Sequence, residues 1–98
     1  DPRLAVRAAI VLGSVARGDF HTWSDIDVLV VADALPPDPS ARLDALGWPP
    51  PRRVEPMAWT TAEYRHQRQR RNPMVVEAER VGVWLRGSAG ALLLPAPP

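Results

Sequence analysis

No cysteine occurs in the 98 residues. That excludes a disulfide framework and any metal centre built on thiolates. It suits a reducing compartment, and a cytoplasmic location is the expectation. No apolar run approaches the ~18 residues needed to span a bilayer, and no stretch reads as a secretory leader. No membrane partner is therefore expected. Lysine is also missing: all twelve basic residues are arginine, and against eleven acids they leave a formal net charge of +1. So even a balance argues neither for nor against a polyanionic partner. The two histidines, His21 and His66, stand isolated in the sequence, and neither is assigned a ligand role.

What is present is enough apolar residue, 46% of the chain, to build one small core. The length predicts a single domain near the lower limit of what buries an adequate interior. No internal repeat is apparent. The expected organisation is a folded unit over 1–86 and a loosely ordered, proline-ended tail over 87–98.

Two apolar runs frame the most informative stretch. Ala8 to Leu12 leads into Gly13-Ser14, ten residues follow, and Asp25-Ile26-Asp27 opens a second run, Val28 to Val31. Strand–turn–strand is the simplest reading, with the two strands antiparallel neighbours. Residues two apart in a strand share a face, so Asp25 and Asp27 project together. At roughly 6 Å and an effective dielectric of about 20, two carboxylates repel by ~2–3 kcal/mol. A bound divalent cation removes that penalty. Gly13 allows close backbone approach, and free amides at the start of a short helical turn after Ser14 suit a phosphate. On their own, Gly13 and Ser14 suit a plain turn; paired with the aspartates they describe a site for a metal-bound nucleoside triphosphate.

Gly-Ser, ten residues, Asp-x-Asp resembles the signature of the nucleotidyltransferase superfamily, the fold shared with DNA polymerase beta. Ala16-Arg17-Gly18 and Ser24 make it resemble most the minimal nucleotidyltransferases, the antitoxin partners of HEPN-domain toxins. The motif covers about a fifth of the chain. The resemblance implies an α/β (α+β) fold: a small mixed sheet flanked by helices. It implies Mg²⁺- or Mn²⁺-dependent transfer of a nucleoside monophosphate, AMP from ATP, onto a hydroxyl. It also implies a tyrosine of a HEPN toxin as acceptor, in a hetero-oligomer. Gly13, Ser14, Arg17 and Ser24 would bind the nucleotide, and Asp25 and Asp27 the metal. A third carboxylate belongs on a neighbouring strand. Glu55 is the candidate, although the family pattern has Asp there and Pro56 follows. The alternative is a catalytically weak or inactive antitoxin that neutralises its partner by contact.

The rest of the chain supplies the supports. Asp1-Pro2 reads as a helix start, with Leu4 to Ala8 a short helical lead-in. Trp23 is expected to pack beneath its loop, and Asp19 and Asp33 read as loop or turn acids. Ser40 is expected to cap a short helix with Leu43 and Leu46 on its apolar side and Gly47 as its stop. Pro49-Pro50-Pro51 reads as a stiff connector. Arg53 to Trp59 reads as a strand, which Pro56 assigns to a sheet edge or a bulge. Thr60 to Glu63 is a capping box. Asn72-Pro73 breaks that helix and starts another, with Met74, Ala78 and Val81 on one face. Gly82 ends it, and Val83-Trp84-Leu85 returns as a short strand. The arginines between Arg65 and Arg71 form either a solvated basic face or a docking surface for an acidic partner. With Tyr64 their only aromatic neighbour, no stacking platform appears, and direct nucleic-acid binding is not expected.

Overall fold

The computed structural model describes residues 5–13, 26–47 and 54–93. Four strands, β1 (Ala5–Leu12), β2 (Ile26–Asp33), β3 (Val54–Trp59) and β4 (Val83–Arg86), form one sheet in the order β3-β2-β1-β4. β1 runs antiparallel to β2 and β4, and β2 runs parallel to β3. Among the described residues four helices accompany it: α1 (Pro39–Ala45), α2 (Thr61–Gln69), α3 (Pro73–Arg80) and α4 (Ala89–Leu93). The mixed sheet flanked by helices is the fold expected, and β1 and β2 are the antiparallel neighbours that the two apolar runs imply.

Alternation along the central strands divides the apolar residues between two faces. Ala8, Ile10, Leu12, Leu29 and Val31 face the helices, where they pack with Tyr64, Val75, Ala78 and Leu92. Val28, Val30 and Ala32 lie on the other face with Val6, Leu46 and Val54 against them. The ladder of β1 slips between Val6 and Ala8, and the extra residue puts those two side chains on opposite faces. β1 therefore starts at Ala5, where the local sequence favours a helical lead-in. Pairing of Ala5 with Asp33 and Val6 with Ala32 outweighs local preference, as is common in sheets.

Helix ends follow the sequence where a side chain caps locally. Thr60 Oγ1 accepts from the Glu63 amide at 3.1 Å, and Glu63 Oε1 accepts from the Thr60 amide at 2.8 Å. Asn72 caps α3 ahead of Pro73, and Gly47 sits beyond α1 at φ +66°. The cap of α1 differs from the expected Ser40. Asp38 is the N-cap and Pro39 takes the first helical position, which suits proline's fixed φ and missing donor. On α3 the buried residues are Val75 and Ala78, and Val81 is 43% exposed. The helix ends at Arg80, so helical spacing no longer governs where Val81 points.

Two features run against the sequence reading. Arg42, not Leu43, is the buried residue of α1. Its guanidinium donates to the carbonyls of Pro36 at 2.7 Å and Ala58 at 3.1 Å, and to both oxygens of Glu63 at 2.6 and 3.1 Å. A buried guanidinium is tolerable because its donors are met. The second feature is the C-terminal segment. Within the stretch expected to be a loose tail, α4 packs on the helical face with Leu92 fully buried, and residues 94–98 lie outside the described residues. Gly87 makes this turn possible: at φ +76°, a Cβ there would clash with the Arg7 carbonyl oxygen.

Candidate active site

β1 ends and β2 begins side by side. Leu12 pairs with Asp27 across the antiparallel ladder, and Asp27 pairs with Glu55 across the parallel one. Parity puts Asp27 on the helix-covered face with Leu29 and Val31. Parallel partners share a face, so Glu55 lies there too, on the edge strand that Pro56 predicts. Pro56 aligns with Val28, and an edge position spares it a second partner strand that would need its missing donor.

Gly13 follows directly in the left-handed region at φ +78°, and an ideal Cβ at this position would stand 2.9 Å from Asp27 Oδ2. Two requirements thus converge on glycine. The backbone conformation disfavours a side chain, and the space beside it is taken by the carboxylate. The Gly-Ser and Asp-x-Asp halves of the motif meet at this contact.

Asp27 opens into a cleft of about 520 Å³. Leu12, Leu29 and Met57 from the sheet and Pro73 and Met74 from α3 give it apolar walls, and Asp27 and Glu77 supply its acids. Glu55 is exposed, in register with Asp27 but outside the cleft lining. Glu77 escaped the sequence reading. The signal was its place at i+4 from Pro73 and i+3 from Met74, a stripe beside the buried Val75 and Ala78. Asp33, expected as a turn acid, ends β2 and accepts from the Thr61 hydroxyl at 2.7 Å. It lies six residues along the strand from Asp27 and serves as a clamp on α2, with Arg7 at 3.9 Å.

No side chain among the described residues neutralises Asp27 or Glu55. The pair is an all-oxygen donor set whose negative charge no described side chain offsets, which suits a hard divalent cation. Among the described residues no group of three potential ligands is assembled. Ser14, Arg17, Asp19, His21, Trp23, Ser24, Asp25 and the Pro49–Pro51 connector lie outside the described residues. No helix among the described residues is long and apolar enough to cross a membrane.

No curated protein matches the chain. A solved structure described as the crystal structure of a toxin-antitoxin with AMP-PNP is similar in fold, with a TM-score of 0.52 and 21% identity. The match covers 89% of this chain and 65% of that one, so the present chain corresponds to about two thirds of that protein's length. Residues 2–83 match the nucleotidyltransferase domain family, a span that holds the Gly-Ser turn, both aspartates, Glu55 and every strand but the last residues of β4. On that match, the chain belongs to the nucleotidyltransferase domain family.

Proposed function

We propose that this chain moves AMP from ATP onto a tyrosine hydroxyl of a partner protein, a HEPN-domain toxin, and so acts as its cytoplasmic antitoxin. The observation that carries the reading is that Gly13 packs against Asp27, with Glu55 in register beside it, at one end of three adjacent strands in a nucleotidyltransferase domain. The toxin-antitoxin structure with AMP-PNP supports the choice of nucleotide and partner.

In this reading Gly13 and Ser14 hold the phosphates through backbone approach, with Arg17 and Ser24 alongside. Asp25, Asp27 and Glu55 would hold Mg²⁺ or Mn²⁺, which when bound neutralises phosphate charge and favours ionisation of the attacking hydroxyl. The apolar residues Leu12, Leu29, Met57 and Met74 limit water beside Asp27. The tyrosine oxygen bonds to the α-phosphorus, the bond to the bridging oxygen breaks, pyrophosphate leaves, and the hydroxyl proton passes to solvent.

The acceptor must come from elsewhere. Tyr64 is the only tyrosine in the chain. It is fully buried and donates to Glu79 Oε2 at 2.6 Å. Burial raises its pKa first, and the neighbouring Glu79 carboxylate adds to that. Both effects oppose its use as a nucleophile. One observation favours the contact-antitoxin alternative: Glu55 stands outside the cleft lining, which would leave a metal short of one ligand.

Intact-mass spectrometry of the purified partner, incubated with this chain, ATP and Mg²⁺, decides between them. Transfer predicts a gain of one or more AMP units that needs Ser14, Asp25 and Asp27. Equal neutralisation by Asp25→Asn/Asp27→Asn, with no mass change, means the partner is silenced by contact.

A further inference from the structure

A second concavity lies on the outer side of α3. It has a volume of about 550 Å³ and is lined by Arg71, Pro73, Val76, Glu77, Arg80 and Val81. Val76 is 42% exposed and Val81 43% exposed. Among the described residues no carboxylate pairs with Arg71 or Arg80, whereas Arg68 is engaged by Glu79 at 3.1 Å. Arg71 also holds a left-handed backbone at φ 55°, a conformation a non-glycine residue adopts at some cost. The groove thus sets an apolar strip, Val76 and Val81, beside two guanidinium groups that no carboxylate among the described residues pairs, with Glu77 also in its lining. It shares Pro73 and Glu77 with the Asp27 cleft, so an occupant of the groove reaches the mouth of the cleft.

We propose that this groove docks an acidic, amphipathic segment of the protein that carries the acceptor hydroxyl. Carboxylates on the segment would pair with Arg71 and Arg80, and apolar side chains would cover Val76 and Val81. Charge complementarity selects the partner class. A nucleic acid would meet arginines but no aromatic on which to stack a base, and it would leave the valines uncovered. That the segment belongs to the acceptor rests on the transferase reading; that the groove binds an acidic segment does not.

The probe is a fluorescein-labelled peptide with leucines at i, i+4 and i+7 flanked by glutamates, titrated by anisotropy. Binding to the wild-type chain should weaken about tenfold or more in Arg71→Glu/Arg80→Glu and be lost in Val76→Asp/Val81→Asp. It should weaken with salt, and a peptide with lysine in place of glutamate should not bind. Amide shifts in the unmutated chain should map the peptide to Val76 and Val81, which keeps the test independent of how the variants fold. None of the four residues lines the Asp27 cleft, so Mg²⁺-dependent ATP binding should be the same in every variant. Loss of ATP binding in the unmutated chain would count against the transferase reading alone. No binding of the acidic peptide, equal binding of the lysine peptide, or shifts elsewhere would overturn the groove. So would tighter binding of an oligouridylate that the same arginine reversals abolish, which would make the surface a nucleic-acid site.

Discussion

Asp27→Asn separates a functional acid from a structural one. Asp27 and Glu55 are register partners on parallel strands, which sets their Cα atoms about 4.8 Å apart. With carboxylates at roughly 6 Å and an effective dielectric of about 20, the repulsion is ~3 kcal/mol. Glu55 is exposed, and solvent screening of exposed charges cuts the figure to about 0.5–1 kcal/mol. Replacing Asp27 by the isosteric amide removes that repulsion and keeps the shape beside Gly13. For a domain of this size the gain corresponds to a rise in Tm of ~2–8 °C. Scanning calorimetry in metal-free buffer at about 0.01 M salt should show it. At about 1 M salt, where the screening length is ~3 Å, the difference should vanish. The same variant should lose nucleotidyl transfer. A fall in Tm at low salt, or a shift indifferent to salt, would refute the electrostatic reasoning and mark Asp27 as a residue the fold needs.

Gly13→Ala should cost about 1–2 kcal/mol from the left-handed backbone and lower ATP affinity further by displacing the Asp27 carboxylate, read by thermal melts and titration. Arg42→Ala should destabilise by ~2–4 kcal/mol, because it removes the guanidinium donors from two carbonyls and from both Glu63 oxygens; urea denaturation measures it. Hydrogen bonding from Arg42 is the main cause that lowers the Glu63 pKa from its ordinary value of 4.5. That pair stabilises the fold above pH 4.5 and its contribution is lost as pH falls through the lowered value, so Glu63→Gln should flatten the acid limb of the stability curve. The raised pKa of Tyr64 has the opposite sign: its contribution is intact below the ordinary tyrosine value of 10.0 and is lost as pH rises through the folded value. Phenolate absorbance of this single tyrosine should therefore appear together with alkaline unfolding rather than before it.

The parts of the fold legible in the sequence are those written in short-range rules. Thr60 and Glu63 announce α2, Asn72-Pro73 announces α3, Pro56 confines β3 to the edge, and two apolar runs on either side of the motif give β1 and β2. Glu55 was legible as the carboxylate of a neighbouring strand because it is the one acid in β3; its register with Asp27 was not. What the sequence hides depends on distant contacts. Arg42 looks like a surface residue until Pro36, Ala58 and Glu63 close around it. Ala5–Val6 favours a helix until Asp33 and Ala32 pair with it. The Gly- and Pro-bearing C-terminus looks loose until Gly87 lets the chain pass the Arg7 carbonyl and Leu92 enters the core. Glu77 becomes visible as a cleft residue only when α3 is set against β1, beside the cleft that Asp27 lines.

The claim on which the rest depends is that the carboxylates at the start of β2 hold a metal-bound nucleotide beside Gly13. Titration calorimetry of ATP, with and without Mg²⁺, on the wild-type chain, Asp25→Asn and Asp27→Asn tests it most directly. Mg²⁺-dependent binding to the wild type should drop sharply in both variants. Equal Mg²⁺-dependent affinity in all three proteins would contradict it.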